Sequence, residues 1–253
     1  MRIKKALVLS DFQIPYHCKD SIKLVEKYMA DNRFDYYILL GDFLDFFSIS
    51  KYNEGKPGDI EGMRLSDDYL IANEILDKHQ RLIRKNSPKC KFVFIYGNHC
   101  ARLDKYLAAN PQLKGLIEVE NGLHLNERGF KQVFSYPKGE VYKLGKLYFH
   151  HGLYTGAHHA KKMVDNFGQS IVYGHTHTLQ TATKIRFETK ETQIGQSLGC
   201  LCEYEQSYIG KNPKEWVKAF GVVYLHPGGD FNLYPIVING SKFISPEGIL
   251  YSI

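Results

Sequence analysis

No apolar run in this 253-residue chain approaches the roughly 18 consecutive residues that a membrane-crossing helix needs. The N-terminal stretch carries no basic, apolar and small-residue succession of a secretory leader, and Leu7 to Leu9 is too short a run for either purpose. Both absences lead to the expectation of a cytoplasmic protein without a membrane partner. Cysteine is scarce. Cys18, Cys90, Cys100, Cys200 and Cys202 are odd in number and scattered, which argues against a disulfide framework and fits reduced thiols. Cys200 and Cys202 would share a strand face, but without a second pair they read as small packed side chains and not as a zinc site. There is no internal repeat, no low-complexity tract and no concentrated run of lysine and arginine.

What remains is an ordinary globular composition, 43% hydrophobic and 24% charged. Residues 1–253 are expected to form a single domain around one large core. The formal charge of +6 favours an anionic partner without distinguishing nucleic acid from nucleotides.

Along the chain, short apolar runs alternate with helical periodicity. Ala6 to Ser10 reads as a strand that stops at Asp11-Phe12-Gln13. Asp20 and Ser21 offer a helix N-cap ahead of the apolar face Ile22, Leu24, Val25, Tyr28 and Met29. A second strand, Tyr36 to Leu40, stops at Gly41-Asp42, so the pair is expected to be parallel with a right-handed crossover. Ser66 is the expected cap of a helix through Ile83, ended by Pro88. The strand Phe92 to Tyr96 then stops at Gly97-Asn98-His99. Helical stretches are expected at Leu103 to Ala109 and Gln112 to Glu118, a strand over Lys146 to Phe149 before His150-His151-Gly152, and a helix from Ala157 to Phe167. The run Ser170-Ile171-Val172-Tyr173 leads into Gly174-His175-Thr176-His177, where two histidines two residues apart can aim at one point beyond a strand end. After His177 only strands are expected, at Thr181 to Phe187, Gly221 to Leu225 and Phe231 to Ile238.

Five strand ends therefore present Asp11, Asp42, Asn98, His151 and the pair His175 and His177. In open α/β sheets this carboxyl-terminal edge is where ligands bind. The set resembles the calcineurin-like metallophosphoesterases, whose motifs run Asp-x-His, Gly-Asp, Gly-Asn-His-Asp or Glu, a later His before Gly, and Gly-His-x-His. The flanks Ile14-Pro15-Tyr16-His17, Phe43-Leu44-Asp45 and Ser197 to Cys202 look like a phage and bacterial branch of that family.

The resemblance implies a four-layered α/β/β/α sandwich with mixed sheets and two divalent ions at the strand carboxyl ends. By analogy Asp11, Asp42 and His177 hold the first ion, with Gln13 as a candidate amide ligand, while Asp42, Asn98, His151 and His175 hold the second and Asp42 bridges. It further implies hydrolysis of phosphate mono- or diesters by a hydroxide held between the ions. His99 is the implied acid or transition-state stabiliser.

Nucleotide-type substrates are expected. The alternatives are a DNA nuclease resembling double-strand-break repair nucleases, and a catalytically weakened protein-interaction scaffold. Two positions depart from the family pattern. Gln13 replaces histidine, which biases the first site toward manganese or magnesium over zinc or leaves it loosely occupied. Cys100 replaces the carboxylate after His99 and reads as a packed thiol, so Asp45 or Asp104 would have to take that carboxylate's place.

Several further residues remain open. Arg102 could grip a phosphate oxygen or be a surface arginine. Phe46, Phe47 and Tyr52 could stack on a base or belong to the core. His151 is favoured over His150 as the ligand, because neighbours on a strand point opposite ways. His158 and His159 read as solvated or outer-sphere groups.

Overall fold

The computed structural model describes residues 2–136, 138–204 and 215–253. Strand β1 (Lys4–Leu9) leads through helix α1 (Lys19–Asp31) to β2 (Tyr36–Leu39), and α2 (Leu65–Asn86) leads to β3 (Lys91–Ile95). Helix α3 (Asn98–Ala109), the single turn α4 (Val119–Gly122) and β4 (Phe130–Val133) follow. Strands β1 to β4 pair in parallel. β10 (Ala219–Leu225) and β11 (Phe231–Val237) extend this sheet antiparallel on the β1 side.

The second sheet holds β5 (Tyr142–Leu144), β6 (Leu147–His150), β7 (Ser170–Tyr173), β8 (Thr181–Ile185) and β9 (Thr192–Ser197) in the order β5-β6-β7-β9-β8. Its three central strands are parallel and its two edges antiparallel. Helix α5 (His159–Phe167) connects β6 to β7, and a hairpin of β12 (Lys242–Ile244) and β13 (Leu250–Ser252) closes the chain. No helix among the described residues is long and apolar enough to cross a membrane.

The period-two alternation of β1 builds the layers. Ala6 and Val8 pack with Leu147, Phe149 and Val172 between the two sheets. Leu7 and Leu9 face the other way, onto Leu24, Val25 and Met29 of α1 and Leu76 and Ile83 of α2. On the far side, Ala160 and Met163 of α5 cover Ile171 and Tyr173. The order is helix, sheet, sheet, helix. Strands buried on both faces must be apolar throughout, which is why β1, β2 and β3 are legible as unbroken apolar runs.

Elsewhere the structure departs from the sequence expectations. α1 starts at Lys19 with Cys18 in the cap position and no side-chain cap bond. Asp20 and Ser21 lie within its first turn, and Ser21 Oγ donates to Cys18 Sγ at 3.2 Å. Ser66 likewise sits inside α2, which Arg64 precedes. The stretch Gln112 to Glu118 forms no α-helix. Pro111 opens a single 3-10 turn, Pro111–Leu113, and Gly115 adopts φ of 89° beyond it. Strand β9, TQIGQS, escapes a periodicity reading because its buried Gln193 and Gln196 are polar yet satisfied, their side chains donating to the Gly168 and Ser197 carbonyls at 2.5 and 2.7 Å.

Candidate metal centre

Asp11 and Gln13 follow β1, Asp42 follows β2 and Asn98 opens α3 after β3. His151 follows β6, and His175 and His177 follow β7. β1, β2 and β3 are neighbours in one sheet, and β6 and β7 are neighbours in the other. The parallel pairings therefore bring all five strand ends to one edge of the sandwich.

Sharp turns then aim the side chains. Asp11, Gln13, Asp42, His175 and His177 have φ of 51°, 54°, 46°, 71° and 59°, and they make up five of the eight non-glycine residues at positive φ among those described. Left-handed backbone at a non-glycine residue costs on the order of 1 kcal/mol or more, so the surrounding structure must hold it. Here Gln13 N donates to Asp42 O at 3.0 Å, and Gly174 N to His151 O at 2.8 Å. Two glycines are required by close approach. A Cβ at Gly97 would lie 2.0 Å from Asp42 Oδ1, and one at Gly174 would lie 2.3 Å from Asp11 Oδ2.

The donor atoms form two groups with one shared member. In the first, His177 Nε2 lies 3.3 Å from Asp11 Oδ1, and the Gln13 amide nitrogen lies 3.3 Å from both His177 Nε2 and Asp42 Oδ2. In the second, His151 Nε2 lies 3.1 Å from Asp42 Oδ2 and 2.9 Å from Asn98 Oδ1, and His175 Nδ1 lies 2.7 Å from Asn98 Oδ1. Asp42 Oδ2 belongs to both. Ligand atoms bonded at about 2.0–2.2 Å to one ion stand roughly 3 Å apart along the edges of its coordination polyhedron, which is the spacing found here.

The rings are braced from outside the site. His151 Nδ1–H donates to the Leu40 carbonyl at 2.9 Å, which leaves Nε2 facing inward. Asp11 accepts from His175 N at 3.0 Å and from Ser10 Oγ.

Charge and polarity fit two cations. Burial alone would raise the Asp42 carboxyl, yet the His151 and His99 rings outweigh it and hold it below the usual carboxylate range. Burial opposes charge on His151 and His177 as well, but Asp42 raises the first to about 9 and Asp11 raises the second to about 9. His175 is lowered to about 4, by burial first and then by the neighbouring His151. Each carboxylate and imidazole pair thus draws in one positive charge, while His175 stays neutral with a lone pair to offer. Gln13 Oε1 is buried without a hydrogen-bond partner while its Nε2 donates to Asp42 Oδ2 at 3.3 Å, so an end-for-end turn of the amide is what would bring the oxygen to a cation beside Asp42. The residues present therefore fit a pair of divalent ions.

His99 stands beside the group, its Nε2 3.7 Å from Asp42 Oδ2 and its backbone N donating to Asp42 Oδ1 at 3.0 Å. Its Nδ1–H donates to the Asp45 carbonyl at 2.8 Å, and Asp45 Oδ2 lies 3.5 Å from the same nitrogen. Asp45, and not Asp104, is therefore the carboxylate beside His99. Arg102 is no free surface arginine, since its Nη1 donates to Asp45 O at 2.8 Å and Oδ1 at 3.1 Å while Nη2 lies 3.5 Å from His99 Nε2. Cys100 is a buried thiol whose pKa burial pushes up. Phe46 and Phe47 are buried, whereas Tyr52 is exposed. His150 turns from the centre, accepting from Gly152 N at 2.9 Å and lying against Phe167. His159 is buried, between the Tyr173 and Thr178 hydroxyls.

Two features of the site escape sequence reasoning. The Trp216 ring packs edge-on to His177 with centroids 4.2 Å apart, and Cys202 Sγ lies 3.8 Å from His177 Nδ1. The Cys-x-Cys spacing was a signal for the second, but the partner histidine lies 25 positions away. A cavity of about 630 Å³ opens over Asp42, His99, His175 and His177 and is walled by Arg102, Tyr52 and Trp216. A second cavity of about 610 Å³ shares Arg102 and Tyr52 with it and extends to Lys105 and Tyr106.

The chain is similar in sequence to known phage proteins. The chain is 25% identical over 187 residues to the Gene 54 protein of Mycobacterium phage L5 and 27% identical over 187 residues to that of Mycobacterium phage D29. Each comparison covers 69% of this chain and 69% of the relative. Among solved structures, Vacuolar Protein Sorting 29 from Cryptosporidium parvum aligns with a TM-score of 0.48 at 13% identity, covering 100% of both chains. The family described as calcineurin-like phosphoesterase matches residues 4–179. With that match spanning every motif from Asp11 to His177, the chain belongs to the calcineurin-like phosphoesterase family.

Proposed function

We propose that this protein hydrolyses phosphate mono- or diesters, nucleotide-type ones in particular, at a pair of divalent metal ions. The observation that carries the reading is the position of Asp42 Oδ2, 3.1 Å from His151 Nε2 and 3.3 Å from the Gln13 amide, where one carboxylate oxygen serves two donor groups. Asp11, Gln13, Asp42 and His177 would hold the first ion, and Asp42, Asn98, His151 and His175 the second. When bound, the ions supply Lewis acidity toward phosphoryl oxygens and an activated water. Because every ligand is a carboxylate, an amide or an imidazole, manganese is favoured over zinc.

The remaining steps fall to the chain's own groups. His99 Nδ1–H is fixed on the Asp45 carbonyl, which leaves Nε2 facing the cleft to hold a proton for the departing alkoxide. Arg102 lines the cavity beside His99 and places a guanidinium toward phosphate oxygens, with Asp45 limiting its motion. The cavity of about 630 Å³ is of nucleotide size. Tyr52 and Trp216 on its walls offer aromatic faces to a base.

A substrate panel of nucleoside monophosphates, cyclic nucleotides, a simple aryl diester and DNA, run with manganese, tests the reading. Hydrolysis should vanish on chelation and return with manganese better than with zinc. Full activity after exhaustive chelation, with no metal by elemental analysis, would overturn it. Preference for DNA over every nucleotide would instead select the nuclease alternative.

A further inference from the structure

The imidazole of His177 has a second side. Its Nε2 faces Asp11 and Gln13 at 3.3 Å, whereas Nδ1 looks away from them, toward Cys202 Sγ at 3.8 Å. The imidazole and the sulfurs of Cys200 and Cys202 offer ligand atoms within 4.8 Å of one another, and all three residues are buried.

The backbone fixes this arrangement. Cys200 N donates to Val217 O at 2.9 Å, and Ala219 N donates to Cys200 O at 3.1 Å. Leu201 N donates to Asp11 O at 3.1 Å, and Cys18 N to Leu201 O at 2.8 Å. The Cys-Leu-Cys segment is held on both flanks and bends at Leu201, and it brings both sulfurs beside the His177 ring. The same bond from Leu201 to Asp11 ties that segment to the first strand end of the metal centre.

We propose that Cys200, Cys202 and His177 Nδ1 form a separate site for a thiophilic divalent ion of the zinc and cadmium class, back to back with the centre described above and sharing its histidine. In a four-coordinate zinc site with bonds of about 2.3 Å to sulfur and 2.0 Å to nitrogen, adjacent sulfur and nitrogen ligands stand roughly 3.5 Å apart. The 3.8 Å between Cys202 Sγ and His177 Nδ1 needs only a small closure to reach that value. Two thiolates and an imidazole select a soft or borderline ion, whereas the carboxylates and amides on the other face of the ring select a hard one. Binding releases the two thiol protons and the His177 Nδ1 proton to buffer and requires no oxidant. A zinc-class ion on the sulfur side competes for the ring that the first ion of the hydrolytic pair uses, so this site would make the protein sensitive to thiophilic metals.

The test uses the full chain after chelation, titrated with cadmium alone. Wild-type protein should develop the ultraviolet thiolate-to-cadmium charge-transfer band, saturating at one equivalent. The variant Cys200→Ser with Cys202→Ser should lose the band while Cys18, Cys90 and Cys100 remain, and Asp42→Ala should keep it. Absence of the band in wild-type protein, or an unchanged band in the double variant, would overturn the proposal. A measurement that needs no variant guards against misfolding: X-ray absorption of wild-type protein loaded with one equivalent of zinc should show sulfur in the zinc shell. A shell of nitrogen and oxygen alone would reject the site. Neither readout depends on hydrolysis, so this site and the phosphoesterase reading stand or fall separately.

Discussion

His99 and Asp45 form a couple in which the Asp45 carbonyl fixes the ring at 2.8 Å from Nδ1 and the Asp45 carboxylate reaches the same nitrogen at 3.5 Å. The carboxylate also holds Arg102 at 3.1 Å, so one buried residue orients both groups beside the candidate metal centre. Asp45→Asn keeps the carbonyl contact and removes the charge. Turnover is expected to fall about tenfold to a hundredfold, the range seen when an outer partner of a site is changed, with metal content unchanged by elemental analysis. Wild-type turnover in this variant would reduce Asp45 to a structural role.

Ligands and acid should separate in a second pair of variants. Asp42→Ala removes the shared oxygen, so activity and at least one metal equivalent should be lost together. His99→Ala should retain both metals and lose about 10²-fold or more in turnover, as a missing general acid does. Release of metal by His99→Ala would mean that the assignment of roles is wrong.

Gln13 carries a third prediction. If its orphaned amide oxygen is a weak ligand, the first ion should bind less tightly than the second, and Gln13→His should tighten that site and shift its preference from manganese toward zinc. Calorimetric metal titrations of both proteins decide. Identical isotherms would leave Gln13 as a substrate contact only.

Asp68 on α2 sets a pH dependence of stability. Its carboxyl is raised to about 7, chiefly by burial and then by the charges of Asp45 and Asp67. A carboxyl whose folded pKa lies above its unfolded value of 3.8 binds its proton more tightly in the fold. Its penalty is therefore absent at low pH, grows as pH rises past about 4 and is complete above about 7. Asp68→Asn should accordingly stabilise the protein at about pH 8 by on the order of 1 kcal/mol, allowing for screening by water near the carboxyl, and should gain nothing at about pH 3. Thermal melts at the two pH values measure this. An equal gain at both would exclude the electrostatic cause.

The sequence by itself determined the parallel strands, the helices between them and the polar residues at the strand ends. A strand buried on both faces must be apolar throughout, and the turn that ends it must carry its glycine and polar residue in adjacent positions, so fold and motif are written locally. Strand β9 was hidden because its polar side chains are satisfied by contacts that no periodicity records. The partners of the site residues belonged to the tertiary structure alone. Asp45 rather than Asp104 meets His99 because α3 packs against the turn after β2, and Arg102 reaches Asp45 across 57 positions of sequence. Cys202 and Trp216 close on His177 across 25 and 39 positions, and neither contact follows from the spacing of any motif. Chain packing decides such pairs, because a side chain selects its partner by position in space, and that position is set by every layer of the sandwich together.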